Sequence, residues 1–170
     1  MSNRTIVIGL TAAVLMQLLI VTGVLVSAAM PGWTGTEVKV KTIPVDPRSL
    51  FRGNYARLNY EFDTLPGQAL ATEGGIRRGE VVYVTLQQQQ DGLYEYAGAS
   101  LVKPIGGVFI RGRVVNHAPP YRINYGIEAF FAPKDKALKL ERELINGGVA
   151  VLMVASSGKA LLTDVVANNP

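Results

Sequence analysis

Polar and apolar residues divide the chain into a long apolar run at the amino terminus and a series of short alternating segments. Residues Ile6 to Met30 carry no charge, and Gln17 is the only strongly polar side chain among them. At a helical rise of about 1.5 Å per residue, this run is long enough to cross a hydrocarbon core of about 30 Å. The pattern predicts a transmembrane anchor in residues 1–30, a short stalk over 31–36 and a β-rich domain over 37–170.

A cleaved signal peptide is the alternative interpretation of the same run, because Val26, Ser27 and Ala28 offer small residues at a plausible cleavage site. The apolar core of a signal peptide usually spans about 7–15 residues, and this run is markedly longer. The length therefore favours an uncleaved anchor. Arg4 precedes the run and no basic residue follows it before Lys39, which predicts a cytoplasmic amino terminus.

From Glu37 onward, apolar residues recur at every second position, which is the period of a β-strand. In the first of these segments Val38, Val40 and Thr42 share one face. The further predicted strands are Tyr55–Phe62, Glu80–Leu86, Tyr94–Ala99, Gly107–Val115, Tyr121–Phe131, Val149–Val154 and Ala160–Val166. Asp91-Gly92 predicts a hairpin turn, and Gly112 predicts a bulge or a close contact inside its strand.

A single helix is predicted in the domain, over residues 134–146, with Gly147 placed to cap its end. Several short strands and one late helix indicate a mainly β, antiparallel, barrel- or sandwich-like fold on an amino-terminal transmembrane helix.

Composition and charge narrow the function classes. The chain has no cysteine, which excludes disulfides, thiolate zinc sites and cysteine catalysis. Up to Arg57 there are six basic and two acidic residues, whereas eleven of each follow. Basic charge concentrated beside the anchor favours anionic headgroups or an acidic partner over a nucleic acid, whose binders usually spread basic residues over a reading face. A solvated face with a few structural arginines is an equally good interpretation of the same charge.

Two separated motifs share the pattern of a known family. The first runs from Gly53 to Tyr60 (Gly-Asn-Tyr-Ala-Arg-Leu-Asn-Tyr), after a Pro-x-Asp-Pro-Arg element at residues 44–48; the second is Tyr-Gly-Ile-Glu-Ala-Phe-Phe-Ala-Pro at 125–133. In these motifs the chain resembles the GDYXXLXY family of membrane-anchored bacterial proteins. The resemblance extends over essentially the whole chain and implies a multi-spanning membrane protein as partner. The family's aspartate is Asn54 here, which keeps a turn-forming acceptor but loses the charge.

The candidate interaction or structural site consists of residues in and beside these motifs: Asp46, Pro47, Arg48, Arg52, Gly53, Asn54, Tyr55, Arg57, Leu58, Tyr60, Tyr125, Gly126 and Glu128. Arg48 and Arg52 carry the donors to clamp a phosphate or carboxylate. Alternatively, Asp46 pairs with one of them and holds the proline-rich turn. The tyrosines either line a groove or pack across strands.

Catalytic and metal-binding patterns are weak in this sequence. His117 is the only histidine and stands beside two prolines. The carboxylates Asp46, Glu61, Asp63 and Glu128 match no known ligand spacing, so neither a metal nor a cofactor is expected. Ser49 as the nucleophile of a signal-peptidase-like hydrolase is a remote alternative, because no lysine is marked as its partner.

These observations predict a non-enzymatic accessory or assembly subunit of a larger membrane protein complex. The bilayer is expected to hold it through residues 6–30, in the bacterial inner membrane, with the domain in the periplasm. The alternative function is a periplasmic binding domain for an anionic ligand or envelope polymer.

Overall fold

One long helix and eleven strands make up the described residues of the computed structural model, which are 3–43, 55–70, 75–131 and 147–167. Helix α1 spans Asn3–Thr34. The strands are β1 (Thr36–Ile43), β2 (Tyr55–Arg57), β3 (Asn59–Tyr60), β4 (Thr64–Leu65), β5 (Val81–Gln88), β6 (Tyr94–Ser100), β7 (Val108–Val114), β8 (Tyr121–Asn124), β9 (Ala129–Phe131), β10 (Gly148–Val154) and β11 (Ala160–Ala167). Two short 3₁₀ helices cover Glu61–Asp63 and Gly67–Leu70.

Most strands form one sheet in the order β11-β10-β1-β6-β5-β7-β8-β4, with β3 paired to the far end of β1. The pairs are antiparallel except for the contact of β1 with β6 at Val40 and Tyr94. Strands β2 and β9 form a separate antiparallel ribbon. The predicted mainly β class on an amino-terminal helix is confirmed, and the sheet is open, not a closed barrel. The predicted helix over 134–146 lies outside the described residues.

Alternation along the strands places the core as the sequence predicts. Val38, Val40 and Thr42 of β1 are buried, whereas the lysines between them are exposed. The hairpin of β5 and β6 turns at Asp91-Gly92, and β10 and β11 form the closing hairpin. The buried faces of these strands meet in one continuous hydrophobic cluster. The alternation of apolar and polar residues is therefore sufficient to predict which side chains face the core and which face solvent.

Two predicted strands are wrong as single elements. The segment Tyr55–Phe62 divides into β2, β3 and a 3₁₀ turn, and the segment Tyr121–Phe131 divides into β8 and β9 around a tight turn. The halves pair with different neighbours, since β2 joins β9 whereas β3 joins β1. Gly126, with φ +83°, turns the chain between β8 and β9. Pairing to different partners is tertiary information that residue alternation does not contain.

Gly112 confirms the predicted close contact within β7. A Cβ at this position would lie 2.3 Å from Ile123 Cγ2 and 2.8 Å from the ring of Tyr125. Both neighbours belong to the β8 region, which therefore packs closer to the β7 backbone than any side chain would permit.

The end of α1 is joined directly to the sheet. The range predicted as a stalk, 31–36, contains the last helical turn, Gly35 and the first residue of β1. Pro31 has no backbone N–H to donate to the Ser27 carbonyl four residues earlier. Lys159 Nζ, from the turn between β10 and β11, donates to that carbonyl at 2.9 Å instead. The domain thus satisfies a helix acceptor that proline leaves free.

Helix α1 is long and apolar enough to span a membrane. The most apolar 18-residue window of its segment Ile6–Thr34 has a mean hydropathy of 2.3, and none of that window is buried. The predicted membrane helix therefore agrees with the structure in length, composition and exposure.

Candidate functional site

The two family-type motifs lie side by side. In the ribbon of β2 and β9, Tyr55 pairs with Phe131 and Arg57 with Ala129. The pairing continues beyond the ribbon, because Leu58 N donates to Glu128 O at 2.9 Å. We call this contact, formed by residues 55–63 and 125–131, the motif junction. Sequence positions nearly 70 residues apart therefore build one local structure.

Two buried tyrosines lock the motif junction from both sides. The hydroxyl of Tyr60 donates to Ile127 O at 2.9 Å, and the hydroxyl of Tyr125 donates to Phe62 O at 2.7 Å. Phe62 stacks on Tyr60 and meets the edge of Tyr125, with ring centres 5.3 Å apart in each pair. Burial raises the pKa of both phenols, and the nearby Asp63 and Glu128 carboxylates raise it further. Both hydroxyls therefore remain neutral donors.

Glu128 holds the tight turn of the second motif. Its carboxylate accepts hydrogen bonds from the backbone N–H groups of Tyr125 and Gly126, the latter at 2.9 Å to Oε2. Asn124 Oδ1 accepts a further bond from Gly126 N at 3.0 Å. A carboxylate that accepts several backbone N–H bonds fixes the conformation of the chain. In this structure Glu128 supports the turn that presents Ile127 to Tyr60.

Asp63 closes the first motif in the same manner. Asp63 Oδ2 accepts a hydrogen bond from Tyr60 N at 2.8 Å, whereas its Oδ1 is buried with no hydrogen-bond partner among the described residues. Burial, together with the nearby charge of Glu128, raises the pKa of the Asp63 carboxyl to about 6. The hydrogen bond from Tyr60 N and the charges of Arg122 and Arg57 lower this pKa, but they do not cancel the increase. The Asp63 carboxyl therefore keeps its proton to a higher pH than an ordinary aspartic acid does.

A polar cleft of about 230 Å³ opens beside Asp63. It is lined by Arg57, Asn59, Asp63, Val115, Arg122, Ile123, Asn124 and Glu128. Two arginines, Arg57 and Arg122, and two acidic residues, Asp63 and Glu128, therefore line one small opening, which gives the cleft both donors and acceptors. The two guanidinium groups in this lining have the donors to bind a phosphate or carboxylate group of a small ligand.

The structure brings together part of the predicted site. Arg57, Leu58, Tyr60, Tyr125, Gly126 and Glu128 belong to the motif junction, and Tyr55 contributes its backbone to β2. The remaining predicted residues, Asp46, Pro47, Arg48, Arg52, Gly53 and Asn54, lie outside the described residues, as does Ser49. The proposed pairing of Asp46 with an arginine therefore stays a prediction.

Arg122 and Asn124 are cleft residues that the motif pattern does not identify. They occupy the exposed positions of β8, alternating with the buried Tyr121 and Ile123. Their alternation indicates only an exposed strand face, and the fold decides that this face borders Asp63. Sequence alone gives Asp63 as one of four carboxylates for a cation. Within the described ranges no three His, Cys, Asp or Glu residues are grouped as a metal site.

His117 lies on an exposed loop and does not line this cleft. The loop is held by Asn116, whose side-chain amide donates to Ala118 O at 2.6 Å and Pro120 O at 2.9 Å and whose oxygen accepts from Arg122 N. These three side-chain hydrogen bonds show that Asn116 holds the conformation of the loop.

Comparison with known proteins agrees with the motif geometry. The family model described as GDYXXLXY protein matches residues 17–165, which is most of the chain and contains the whole motif junction. No curated protein and no solved structure is detectably similar to the chain. The chain belongs to the GDYXXLXY family.

Proposed function

We propose that this protein is a single-pass, periplasm-facing, non-enzymatic accessory or assembly subunit of a larger membrane protein complex. The observation that carries the proposal is Gln17. It lies near the middle of the apolar helix, its side chain is exposed, and it makes no hydrogen bond to any described residue. An amide without a hydrogen-bond partner costs free energy when apolar lipid surrounds it. A hydrogen bond from Gln17 to a neighbouring helix would remove this cost and stabilise the association of the two helices.

Thr11, the polar residue that precedes Gln17 on the helix, differs from it in this respect. Thr11 Oγ1 donates to Val7 O at 2.9 Å within α1, so its hydroxyl is already satisfied. Gly9 and Ala13 precede Gln17 at intervals of four residues and therefore share its face. A Cβ added at Gly9 would meet no atom within 4 Å. Small residues beside a polar one allow two membrane helices to approach closely.

The rigid joint between helix and domain supports the same proposal. Lys159 bonds to Ser27 O, and Gly35 N donates to Pro31 O at 2.9 Å. A Cβ at Gly35 would lie 2.3 Å from Pro31 O and 3.0 Å from Val154 N. A partner that binds α1 would therefore receive the domain in one fixed orientation, which is useful in an assembly subunit.

The non-enzymatic part of the proposal draws on the motif junction. Tyr60 and Tyr125 use their hydroxyls on backbone carbonyls, and Glu128 uses its carboxylate on backbone N–H groups. General acids and bases need a proton that can be transferred to a substrate. The most conspicuous motif side chains are instead engaged in holding two segments together.

The test is crosslinked co-purification of the tagged full-length protein from native membranes in mild detergent. A membrane protein is expected to co-purify with the wild type, and Gln17→Leu is expected to reduce its recovery. Interhelical hydrogen bonds of about 0.6–2 kcal/mol correspond to roughly 3- to 30-fold weaker association. Thr11→Val is the matched control, since it removes a hydroxyl bonded within its own helix. Recovery of the protein alone, or equal recovery from both variants, would refute the proposal.

A periplasmic binding domain for an anionic ligand or envelope polymer is the second candidate. Arg57 and Arg122 on the polar cleft favour it, because guanidinium groups bind phosphate and carboxylate in a bidentate manner. Thermal unfolding with added inorganic phosphate tests it. Stabilisation that is lost in both Arg57→Gln and Arg122→Gln would support this candidate. Equal midpoints with and without phosphate in the wild type would count against it.

A further inference from the structure

The loop between β6 and β7 presents apolar side chains to solvent. Ile105 is fully exposed at 109% and Val102 is 76% exposed. Isolated exposed apolar residues are common on protein surfaces, but two on one short loop form a protruding apolar tip. Lys103 stands between them, with its ammonium group 5.8 Å from the ring centre of Phe109.

This loop ends, at Gly107, beside the junction of α1 and β1. A groove of about 550 Å³ is lined by residues 103–107, Phe109 and Ser156. A neighbouring groove of about 220 Å³ shares Gly107, Phe109 and Ser156 and reaches Thr34 and Thr36, at the junction of α1 and β1. Strand β7, which follows the loop, is joined to the turn after Ser156, because Arg111 N donates to Gly158 O at 2.7 Å.

The same turn marks the height of the membrane surface along α1. Its Lys159 bonds to Ser27 O, and a lysine ammonium remains at the headgroup level or outside it. Residues 6–26, below Ser27, extend for about 31 Å at the helical rise, which matches a hydrocarbon core of about 30 Å. Trp33, 72% exposed and just beyond, suits the interfacial zone.

We infer that the loop Leu101–Gly107 is a second membrane contact, which inserts Val102 and Ile105 into the headgroup–acyl boundary of a phospholipid bilayer while Lys103 meets anionic headgroups. The bilayer is the occupant because the groove beside Ile105 shares Gly107, Phe109 and Ser156 with the groove that reaches Thr34, at the end of the membrane helix. A positive side chain between two apolar ones complements an anionic lipid surface. Together with α1, the loop gives the domain two points of attachment, which fixes its tilt.

The absence of native cysteine makes a direct test simple. Single cysteines at Ile105→Cys, His117→Cys and Leu19→Cys are labelled with an environment-sensitive fluorophore in the full-length protein. Each is reconstituted into pure vesicles of phosphatidylcholine and phosphatidylglycerol that contain lipids carrying a nitroxide quencher. All three side chains are exposed, so the substitutions leave the core intact. His117 is the matched control, because its loop follows the far end of β7. Strand β7 rises about 20 Å from its first residue, Val108, to its last, Val114.

The label at position 105 is expected to shift its emission to the blue and to lose most of its intensity to the quencher, at a depth of about 5–10 Å into the boundary. The label at 19 should be quenched by deeper nitroxides, and the label at 117 should remain aqueous. Quenching at 19 without quenching at 105 would refute the loop contact and leave the anchor intact. No quenching at 19 would refute both. Burial of label 105 only in native membranes, not in pure lipid, would identify a protein as the occupant and overturn the inference.

Discussion

Removing the hydroxyl of Tyr60 tests whether the motif tyrosines are structural. In Tyr60→Phe the ring is kept, including its stacking on Phe62, and only the hydrogen bond to Ile127 O is lost. Tyr60 is 1% exposed, so water has little access to replace the donor. The substitution therefore isolates one bond of the motif junction from the packing around it.

The expected loss follows from that burial. Leaving a buried acceptor without its donor costs about 1–3 kcal/mol. For a domain of this size, each kcal/mol taken from the free energy of unfolding lowers the thermal midpoint by about 4 °C. Tyr60→Phe should therefore unfold about 4–12 °C below the wild type. Tyr125→Phe removes the reciprocal bond to Phe62 O and is expected to cost a similar amount. Because Phe62 contacts both rings, the double variant should depart from additivity.

The assay is thermal unfolding of the full-length protein in detergent, followed by the near-ultraviolet circular dichroism of its tyrosines. Tyr83→Phe is the control: the Tyr83 ring meets the edge of Phe109, and its hydroxyl has no hydrogen bond to the described residues. It should change stability by less than about 0.5 kcal/mol. If Tyr60→Phe unfolds at the same temperature as Tyr83→Phe, the argument that Tyr60 locks the two motifs together is wrong.

Two further predictions concern the surroundings of the motif junction. Gly112→Ala should destabilise the domain by about 1–3 kcal/mol in thermal unfolding, because the new methyl group meets Ile123 and the ring of Tyr125. Gly98→Ala is the control, since a Cβ at that position meets no atom within 4 Å. Equal effects of the two substitutions would contradict the packing argument. The Asp63 carboxyl has a folded pKa raised to about 6, so it stabilises the fold at low pH and loses this contribution as pH rises through about 6. The thermal midpoint of the wild type, measured relative to that of Asp63→Asn, should accordingly decrease as the pH is raised from 4 to 7. A difference that stays constant over this range would show that Asp63 titrates normally.

Sequence patterning was sufficient for the elements whose signal is local. The uncharged run from Ile6 to Met30 has the length and composition of a membrane helix whatever it contacts. The alternation in β1 follows from one buried face, and the Asp91-Gly92 turn follows from residues that tolerate its backbone angles. Gly112 could be predicted as a close contact because only glycine offers the space, although its neighbours could not be named.

The tertiary structure decided which strands break and what the motifs do. The segments Tyr55–Phe62 and Tyr121–Phe131 alternate like continuous strands, yet each divides because its halves pair with different partners. Hydrogen bonds between Tyr60 and Ile127, and between Tyr125 and Phe62, join positions that sequence places in separate motifs.

The amino-acid sequence by itself determined the long apolar helix, the β class and the family motifs, because each of these depends on residue types at short spacing. Only the fold placed Lys159 beside the Ser27 carbonyl that Pro31 leaves free, and Arg122 beside Asp63. It also placed Gly107, at the end of the loop that carries Ile105, beside Thr34 at the end of α1. These contacts join distant segments, and their geometry follows from how the whole chain packs, which no local pattern records.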